Sequence, residues 1–308
     1  MRDALPPTRS LRSAARAAWP DEPLRRFRVD HHGWTNLVLE ANGAIIFRFP
    51  RRVDVARNVG VEVRLLEFLG RHLSTPIPRP VRISTLGEPV GWPFIAYRKL
   101  PGTPLRDLES LSGFERTRLR RFLTTLFSDL SRLPPGPLRH IGIPFGDRVS
   151  WRQKYERLRR RYRRTAANLV PVSVHRELTR LFDAFSETLA RSRFAPVLLH
   201  NDLWPSHILW DQTSHRPTGV IDWEDARFGD PVFDLTTLRA LGARFARSVM
   251  RGRDGDRDAT WGERLLFYQR IEPLQGLLFG LETNRTSIIR TEMRKLRISV
   301  QLDSLTPA

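Results

Sequence analysis

His200, Asp202 and His207 lie within one short stretch, "HNDLWPSHIL", between the apolar runs Val197-Leu198-Leu199 and Ile208-Leu209-Trp210. An acid between two imidazoles is a set able to move protons or hold a cation. Downstream, "TGVID" from Thr218 to Asp222 reads as a second short strand, and the turn-rich residues Gln212 to Pro217 read as the loop joining it to the strand Ile208 to Asp211. A hairpin centred near Ser214-His215 sets His207 opposite Asp222, with Asp202 in the loop just upstream. A carboxylate and an imidazole can hold a divalent cation whose other positions go to water and substrate phosphates. A second carboxylate outside the metal can take the proton of an attacking hydroxyl. Together these describe phosphoryl transfer. Loop caps and surface polar groups use the same residue types, and spacing alone leaves both readings open.

The rest of the chain must position this set. Its 308 residues exceed the size at which one hydrophobic core stops growing, so two lobes are expected. Without cysteine the protein has no disulfide, no thiolate nucleophile and no cysteine-held zinc, which fits a reducing, cytoplasmic setting. No apolar run reaches a membrane span, and the first twenty residues lack the apolar stretch of a secretory signal.

The formal charge of +19 raises the question of a polyanionic partner. Only Lys99, Lys154 and Lys295 are lysines, and the arginines are spread along the whole chain, which reads as a compositional bias. In "WRQKYERLRRRYRR", Trp151, Tyr155, Leu158 and Tyr162 recur at helical steps, leaving the arginines on a solvated face. Neither nucleic acid nor membrane is expected as a partner, and a monomer is expected.

Periodicity predicts a short leading helix ending near Trp19-Pro20, then a hairpin of Leu37 to Glu40 and Ala44 to Phe49 about Asn42-Gly43. A helix over Val55 to Leu73 follows, with strands at Val81 to Ser84 and Pro93 to Arg98. Leu100-Pro101-Gly102-Thr103-Pro104 suits a hinge. Beyond it, helices are predicted over Phe114 to Leu133, Trp151 to Leu169 and Val174 to Ser192, and through most of the chain after Thr236. Arg251 to Asp258 reads as a loop.

"LLHNDLWPSHILWD" together with "GVIDWEDARFGDPVFDL" resembles the catalytic core of the aminoglycoside phosphotransferase family, antibiotic kinases with a fold similar to eukaryotic protein kinases. The resemblance runs from about Gly33 to Glu282. It is strongest to the 2''-aminoglycoside and macrolide 2'-phosphotransferase subgroups, which carry His where most members have Asn, here His207. "IIFRFPRR" resembles the strand bearing the phosphate-binding cation, and "VGVEVRLLEFL" the helix bearing its acidic partner.

The resemblance implies an α+β, bilobal, protein-kinase-like fold with a β-rich N-terminal lobe and a mainly helical C-terminal lobe. The expected divisions are a nucleotide-binding lobe over residues 1–98, a hinge over 99–104, and a lobe over 105–308 carrying catalytic loop, metal site and acceptor pocket. It further implies Asp202 as the catalytic carboxylate, His207 and Asp222 as magnesium ligands, and Glu62 as partner of the strand cation. That cation is Arg48 where the family usually has Lys, and a guanidinium does not present the same compact charge to phosphates. Gly33 and Thr35 would face the phosphates, although the loop lacks a full glycine pattern, and Tyr97 and Lys99 would border the base of ATP or GTP. His200 would brace the catalytic loop. Asp230, followed by Pro231, reads as a helix cap, and Asp234 as structural.

For the acceptor, a polycationic aminoglycoside should meet carboxylates, and Glu224, Asp225, Glu263, Glu272 and Glu282 are candidates. A macrolide would suit Trp204, Phe228, Phe267, Tyr268 and Phe279, which helical spacing equally places in a core. Other readings are a housekeeping kinase of a small alcohol, a catalytically dead kinase-fold binding module, and a metal-dependent nuclease; the nuclease leaves Arg48, Glu62 and the hinge unexplained.

Overall fold

The computed structural model describes residues 8–31, 33, 35–84, 93–251 and 258–301. In chain order the first elements are α1 (Thr8–Ala18), β1 (Phe27–Asp30), β2 (Asn36–Ala41), β3 (Ile45–Pro50), α2 (Val53–His72), β4 (Pro80–Ser84), β5 (Phe94–Arg98) and β6 (Thr103–Pro104). Next come α3 (Gly113–Arg132), α4 (Pro135–Ile141), α5 (Arg148–Thr165), α6 (Val172–Arg191), β7 (Val197–Leu199), β8 (Ile208–Asp211), β9 (Arg216–Val220) and β10 (Arg227–Gly229). The chain ends with α7 (Leu235–Leu238), α8 (Ala243–Arg251), α9 (Trp261–Glu282) and α10 (Thr286–Gln301). These elements include every strand and helix expected over described residues. Positions 252–257 of the expected loop lie outside the described residues. The fold class is α+β, with a sheet-rich N-terminal region and a helical C-terminal region.

The chain divides into two compact units, Met1–Pro144 with Asp202–Ala226 and Ala240–Arg253, and Phe145–Asn201 with Arg227–Arg239 and Asp254–Ala308. The first unit holds an antiparallel sheet of order β1-β2-β3-β5-β4. Asn42 and Gly43 both have positive φ, 54° and 73°, so the β2–β3 turn has the twist that a tight hairpin needs. Side chains alternate across a strand, and this alternation sorts the sheet. Ile45, Phe47 and Phe49 of β3, with Phe94 and Ala96 of β5, pack beneath Leu11, Ala15 and Trp19 on one face. The intervening residues Ile46, Ile95 and Tyr97 meet Val59 and Val63 of α2 on the other. Arg48 shares that second parity, and so a charged residue enters the α2 side of the sheet.

In the same unit the β8–β9 hairpin pairs Ile208 with Val220 and Leu209 with Gly219, one residue away from the expected register, and an irregularity follows between Leu209 and Trp210. His207 therefore faces Ile221, whose N–H donates to the His207 carbonyl at 2.9 Å. Asp222 lies past the end of β9 and reaches His207 by a backbone turn with φ of 71°. The hairpin tip is held by α3: Arg118 Nη1 donates to the carbonyls of Ser214 (3.1 Å) and His215 (2.9 Å). Residues 99–104 are fastened as well. Lys99 N–H donates to the Ala44 carbonyl, Thr218 Oγ1 donates to the Pro101 carbonyl, and Gly102 (φ 94°) leaves no room for a Cβ beside the Trp210 carbonyl.

The second unit buries Trp151, Tyr155 and Tyr162 of α5 with Leu178 and Phe185 of α6 and Phe267, Tyr268 and Leu274 of α9. The exposed face of α5 carries Arg152, Arg157, Arg160, Arg163 and Arg164. Phe228, Phe267 and Tyr268 are core residues here, with Phe267 stacked on Phe185 at 3.7 Å. No described helix is long and apolar enough to cross a membrane.

Candidate active site

The segment Trp204–His207 coils into a single tight turn, in which His207 N–H donates to the Trp204 carbonyl at 2.9 Å. The turn swings the His207 ring back so that Nδ1 lies 2.7 Å from the Asp202 carbonyl. A carbonyl only accepts, so Nδ1 carries a proton and Nε2 is the nitrogen left facing Asp222. Nε2 lies 3.5 Å from Asp222 Oδ2, and the Asp202 carboxylate lies 3.6 Å from Nδ1. Asp202, His207 and Asp222 each offer one ligand atom within 4.8 Å of the others. An imidazole fixed through its far nitrogen beside a carboxylate is a donor set that fits a small, hard divalent cation sharing its shell with water and phosphate.

Burial pushes the Asp202 carboxyl up to about 6; His207 opposes the shift and the charge of Asp222 adds to it. Asp222 holds a positive φ, as does Asn201 (67°), a conformation costly for residues with a side chain and concentrated at functional sites.

Arg48 is 6% exposed and sits among carboxylates. Its Nη1 donates to Glu62 Oε1 at 2.5 Å, and its Nη2 donates to Asp222 Oδ1 at 2.6 Å and to Glu224 Oε2 at 2.9 Å. Glu62 reaches it from the buried stripe of α2 that includes Val59, Val63 and Leu66. Burial pushes the Glu62 carboxyl up while Arg48 opposes it, and the three carboxylates hold the Arg48 guanidinium charged against its own burial.

Arg48, Tyr97 and Asp222 line a cavity of about 800 Å³ whose walls also include Val38, Ile46 and Leu209. Charged residues are mixed with these apolar ones along its lining, among them Arg28, Glu40, Lys99 and Arg106, and its volume suits a nucleotide-sized ligand. Tyr97 is buried, and burial raises its hydroxyl pKa. Lys99 lies on the same wall with its Nζ on Glu40 at 3.1 Å, and Glu40 also takes Arg28 at 2.7 Å.

The other residues singled out in the sequence lie as follows. A Cβ on Gly33 would come within 2.5 Å of the Asn36 carbonyl, so only glycine fits that bend. Thr35 Oγ1 accepts from Asn36 Nδ2 at 3.4 Å, beside Glu224. His200 is fully buried, and the two oxygens of Asp234 take the backbone N–H groups of His200 and Asn201 at 2.7 Å each, fixing the backbone directly ahead of Asp202.

Asp230 is buried against Arg264 Nε (2.7 Å) and Tyr268 Oη (2.6 Å) while accepting from Val232 N–H at 3.1 Å. The expected helix start at Asp230-Pro231 is a turn instead. Asp230 is committed to the side chains of α9, and α7 begins at Leu235. Asp225 is exposed, Glu272 half-buried, Glu282 paired with Arg161 and Glu263 with Arg191. Asn36 and Arg51 have no signal in the sequence beyond their place around a glycine-containing loop, yet Arg51 donates to the Asn36 carbonyl and Asn36 donates to Glu224.

Comparison with known proteins bears on this geometry. A model of the phosphotransferase enzyme family matches residues 26–267. The structure of the GDP and kanamycin complex of APH(2")-IIIa superposes with a TM-score of 0.86 at 26% identity, covering 94% of this chain and 97% of that one. The apoenzyme of a macrolide 2'-phosphotransferase from Brachybacterium faecium has a TM-score of 0.69 at 24% identity, covering 93% and 97%. The viomycin phosphotransferase of Streptomyces vinaceus is 24% identical over 205 residues, 66% of this chain and 65% of that protein.

Proposed function

We propose, for a chain that belongs to the phosphotransferase enzyme family, transfer of the γ-phosphoryl group of a nucleoside triphosphate to a hydroxyl of an aminoglycoside antibiotic. The observation that carries this reading is the gathering of Asp202, His207 and Asp222 within 4.8 Å, with Arg48 on Asp222 in the lining of the cavity.

In this reading Asp202 accepts the hydrogen bond of the acceptor hydroxyl, orients its lone pair along the line of attack on phosphorus, and takes its proton as the bond forms. His207 Nε2 and Asp222 would hold magnesium, which supplies charge neutralisation for the phosphates. Glu62 holds Arg48 at the phosphate end of the cavity, and Val38, Ile46 and Leu209 enclose the base. Residues 99–104 form the hinge side, joining a nucleotide-binding lobe over 1–98 to a lobe over 105–308. Asp225, Glu272 and Glu282 are the proposed contacts for the acceptor's amines. The GDP complex of a relative favours GTP as donor, with ATP as the alternative. The enzyme is proposed to work in the cytoplasm as a monomer.

A second reading is a nucleotide-binding module without turnover. It is favoured by one observation: Arg48 already engages three carboxylates.

Coupled turnover with GTP and with ATP, magnesium present, against aminoglycosides, viomycin, macrolides and simple alcohols separates these readings. Asp202→Asn should lose 10²- to 10⁴-fold in acceptor-stimulated turnover while keeping the wild-type melting profile. An Asp202→Asn enzyme of near-normal rate would remove Asp202 from the chemistry. Nucleotide binding without turnover on any acceptor would establish the second reading.

A further inference from the structure

The loop from His31 to Asn36 contains a single glycine, and in the phosphotransfer reading it lies over the phosphates of the donor. A flexible glycine-rich flap would present its backbone by adapting, whereas His31, Thr35 and Asn36 are fastened by side chains. Arg51 holds it from β3's end: Nη2 donates to the His31 carbonyl at 2.9 Å, Nε to the Asn36 carbonyl at 3.3 Å, and the Arg51 N–H to the Thr35 carbonyl at 2.7 Å. A second fastening comes from far along the chain. Asn36 Nδ2 donates to Glu224 Oε2 at 2.5 Å and to Thr35 Oγ1 at 3.4 Å, and the same oxygen Oε2 accepts from Arg48 Nη2. Asn36 is 6% and Glu224 12% exposed, so water competes poorly for these bonds.

We propose that Glu224 is a positioning residue for the phosphoryl donor, its carboxylate latching Asn36, and with it the neighbouring Thr35, so that these residues are fixed before the nucleotide arrives. The inference rests on the phosphotransfer reading and changes the role expected for Glu224 from an acceptor contact to a donor-side one. Two features argue for it over an acceptor role. Its Oε2 is taken up by groups from two strands, β2 and β3, which leaves an acceptor's ammonium to compete with a buried guanidinium. The residue following in sequence, Asp225, is the exposed one.

Fixing the loop in advance lowers the ordering cost of nucleotide binding without touching the acceptor. A hydrogen bond to a charged, buried acceptor is strong enough for its loss to weaken binding by about tenfold or more.

The test compares wild type with Asn36→Ala, Asn36→Asp, Thr35→Val and the double variant Asn36→Asp/Glu224→Gln, which reverses the amide and carboxylate. Nucleotide affinity is measured by calorimetry with GTP and ATP in the presence of magnesium, and kcat and KM are measured for each substrate. Asn36→Ala should raise nucleotide Kd and KM about tenfold with acceptor KM unchanged, Thr35→Val should do so to a smaller extent, and the double variant should recover most of the loss shown by Asn36→Asp alone. Unchanged nucleotide Kd in Asn36→Ala and Thr35→Val overturns the latch, as does a rise confined to acceptor KM. Thr35→Val serves where Asn36→Ala does not fold. Wild type that binds no nucleotide at all would instead defeat the phosphotransfer reading, and calorimetry distinguishes the two failures.

Discussion

Arg48 and Arg264 are both buried guanidiniums, 6% and 1% exposed, and they occupy different kinds of surroundings. Arg264, in the second unit, donates to Asp230 through Nε at 2.7 Å and through Nη1 to Asp258 at 2.6 Å and to the Thr260 hydroxyl. Tyr268 donates to Asp230 as well, so carboxylates and donors are matched. Burial works against the Asp258 carboxyl, but donors from Thr260, the Arg193 backbone and Arg264 hold it down at about 2. Arg48, in the first unit, faces three carboxylates with Asp202 nearby, Glu62 and Glu224 are both pushed up by burial, and Asp222 is held in a costly backbone conformation. The first arrangement is satisfied as it stands. The second has an excess of negative charge that a divalent cation would balance, and the contrast is between a charge network matched within the protein and one that is not.

Breaking the satisfied network should produce the largest change. Asp230→Asn leaves Arg264 under-compensated in the core, and the expected cost is about 3–5 kcal/mol, a fall in Tm on the order of 10 °C. Thermal unfolding followed by circular dichroism would read this; a fall of only a degree or two would show that the second unit does not depend on it.

The ligand-receiving network is expected to respond to metal with an intermediate effect. Saturating magnesium should stabilise wild type by about 2.7 kcal/mol at a hundredfold excess over Kd, and Asp222→Asn should lose that gain, as should addition of a chelator. Equal stabilisation of wild type and Asp222→Asn would place the cation elsewhere.

The smallest effect separates the networks by pH. The Asp258 pKa is lower in the fold than the ordinary 3.8, so its contribution is complete above that value and is lost as pH falls from about 4 towards 2. Because the group is partly exposed, the loss should be on the order of 1 kcal/mol. Comparing wild type with Asp258→Asn by urea unfolding across this window should show the gap between them closing as the pH drops. A gap that stays constant would mean that Asp258 acts through packing or hydrogen-bond geometry.

Much of the fold is legible in the sequence because its signals are local. The Asn42-Gly43 turn, the alternation of Phe47 and Phe49 with Arg48, and the helical spacing of Trp151, Tyr155 and Tyr162 each depend on neighbours a few residues away. His207 and Asp222 are brought near one another by a short hairpin, whose turn residues are also local. The exact register is not legible: a one-residue shift depends on an irregularity at Leu209 and Trp210, which no turn dipeptide announces. Phe228, Phe267 and Tyr268 illustrate the same limit, since an aromatic at helical spacing serves a core or a pocket equally well until its neighbours are known.

Residue order and local periodicity are enough for the elements, the absence of thiol chemistry, the loop bearing Asp202 and His207, and the placing of Arg48 where the resemblance expects a lysine. Only packing brings Arg48 to Glu62, Asp222 and Glu224 together, joins Asn36 to Glu224 across 188 positions, and commits Asp230 to Arg264 and Tyr268. The reason is physical: secondary structure follows from side-chain periodicity over a few residues, whereas the partner of a buried charge is fixed only when distant segments pack and exclude the water that would otherwise solvate it.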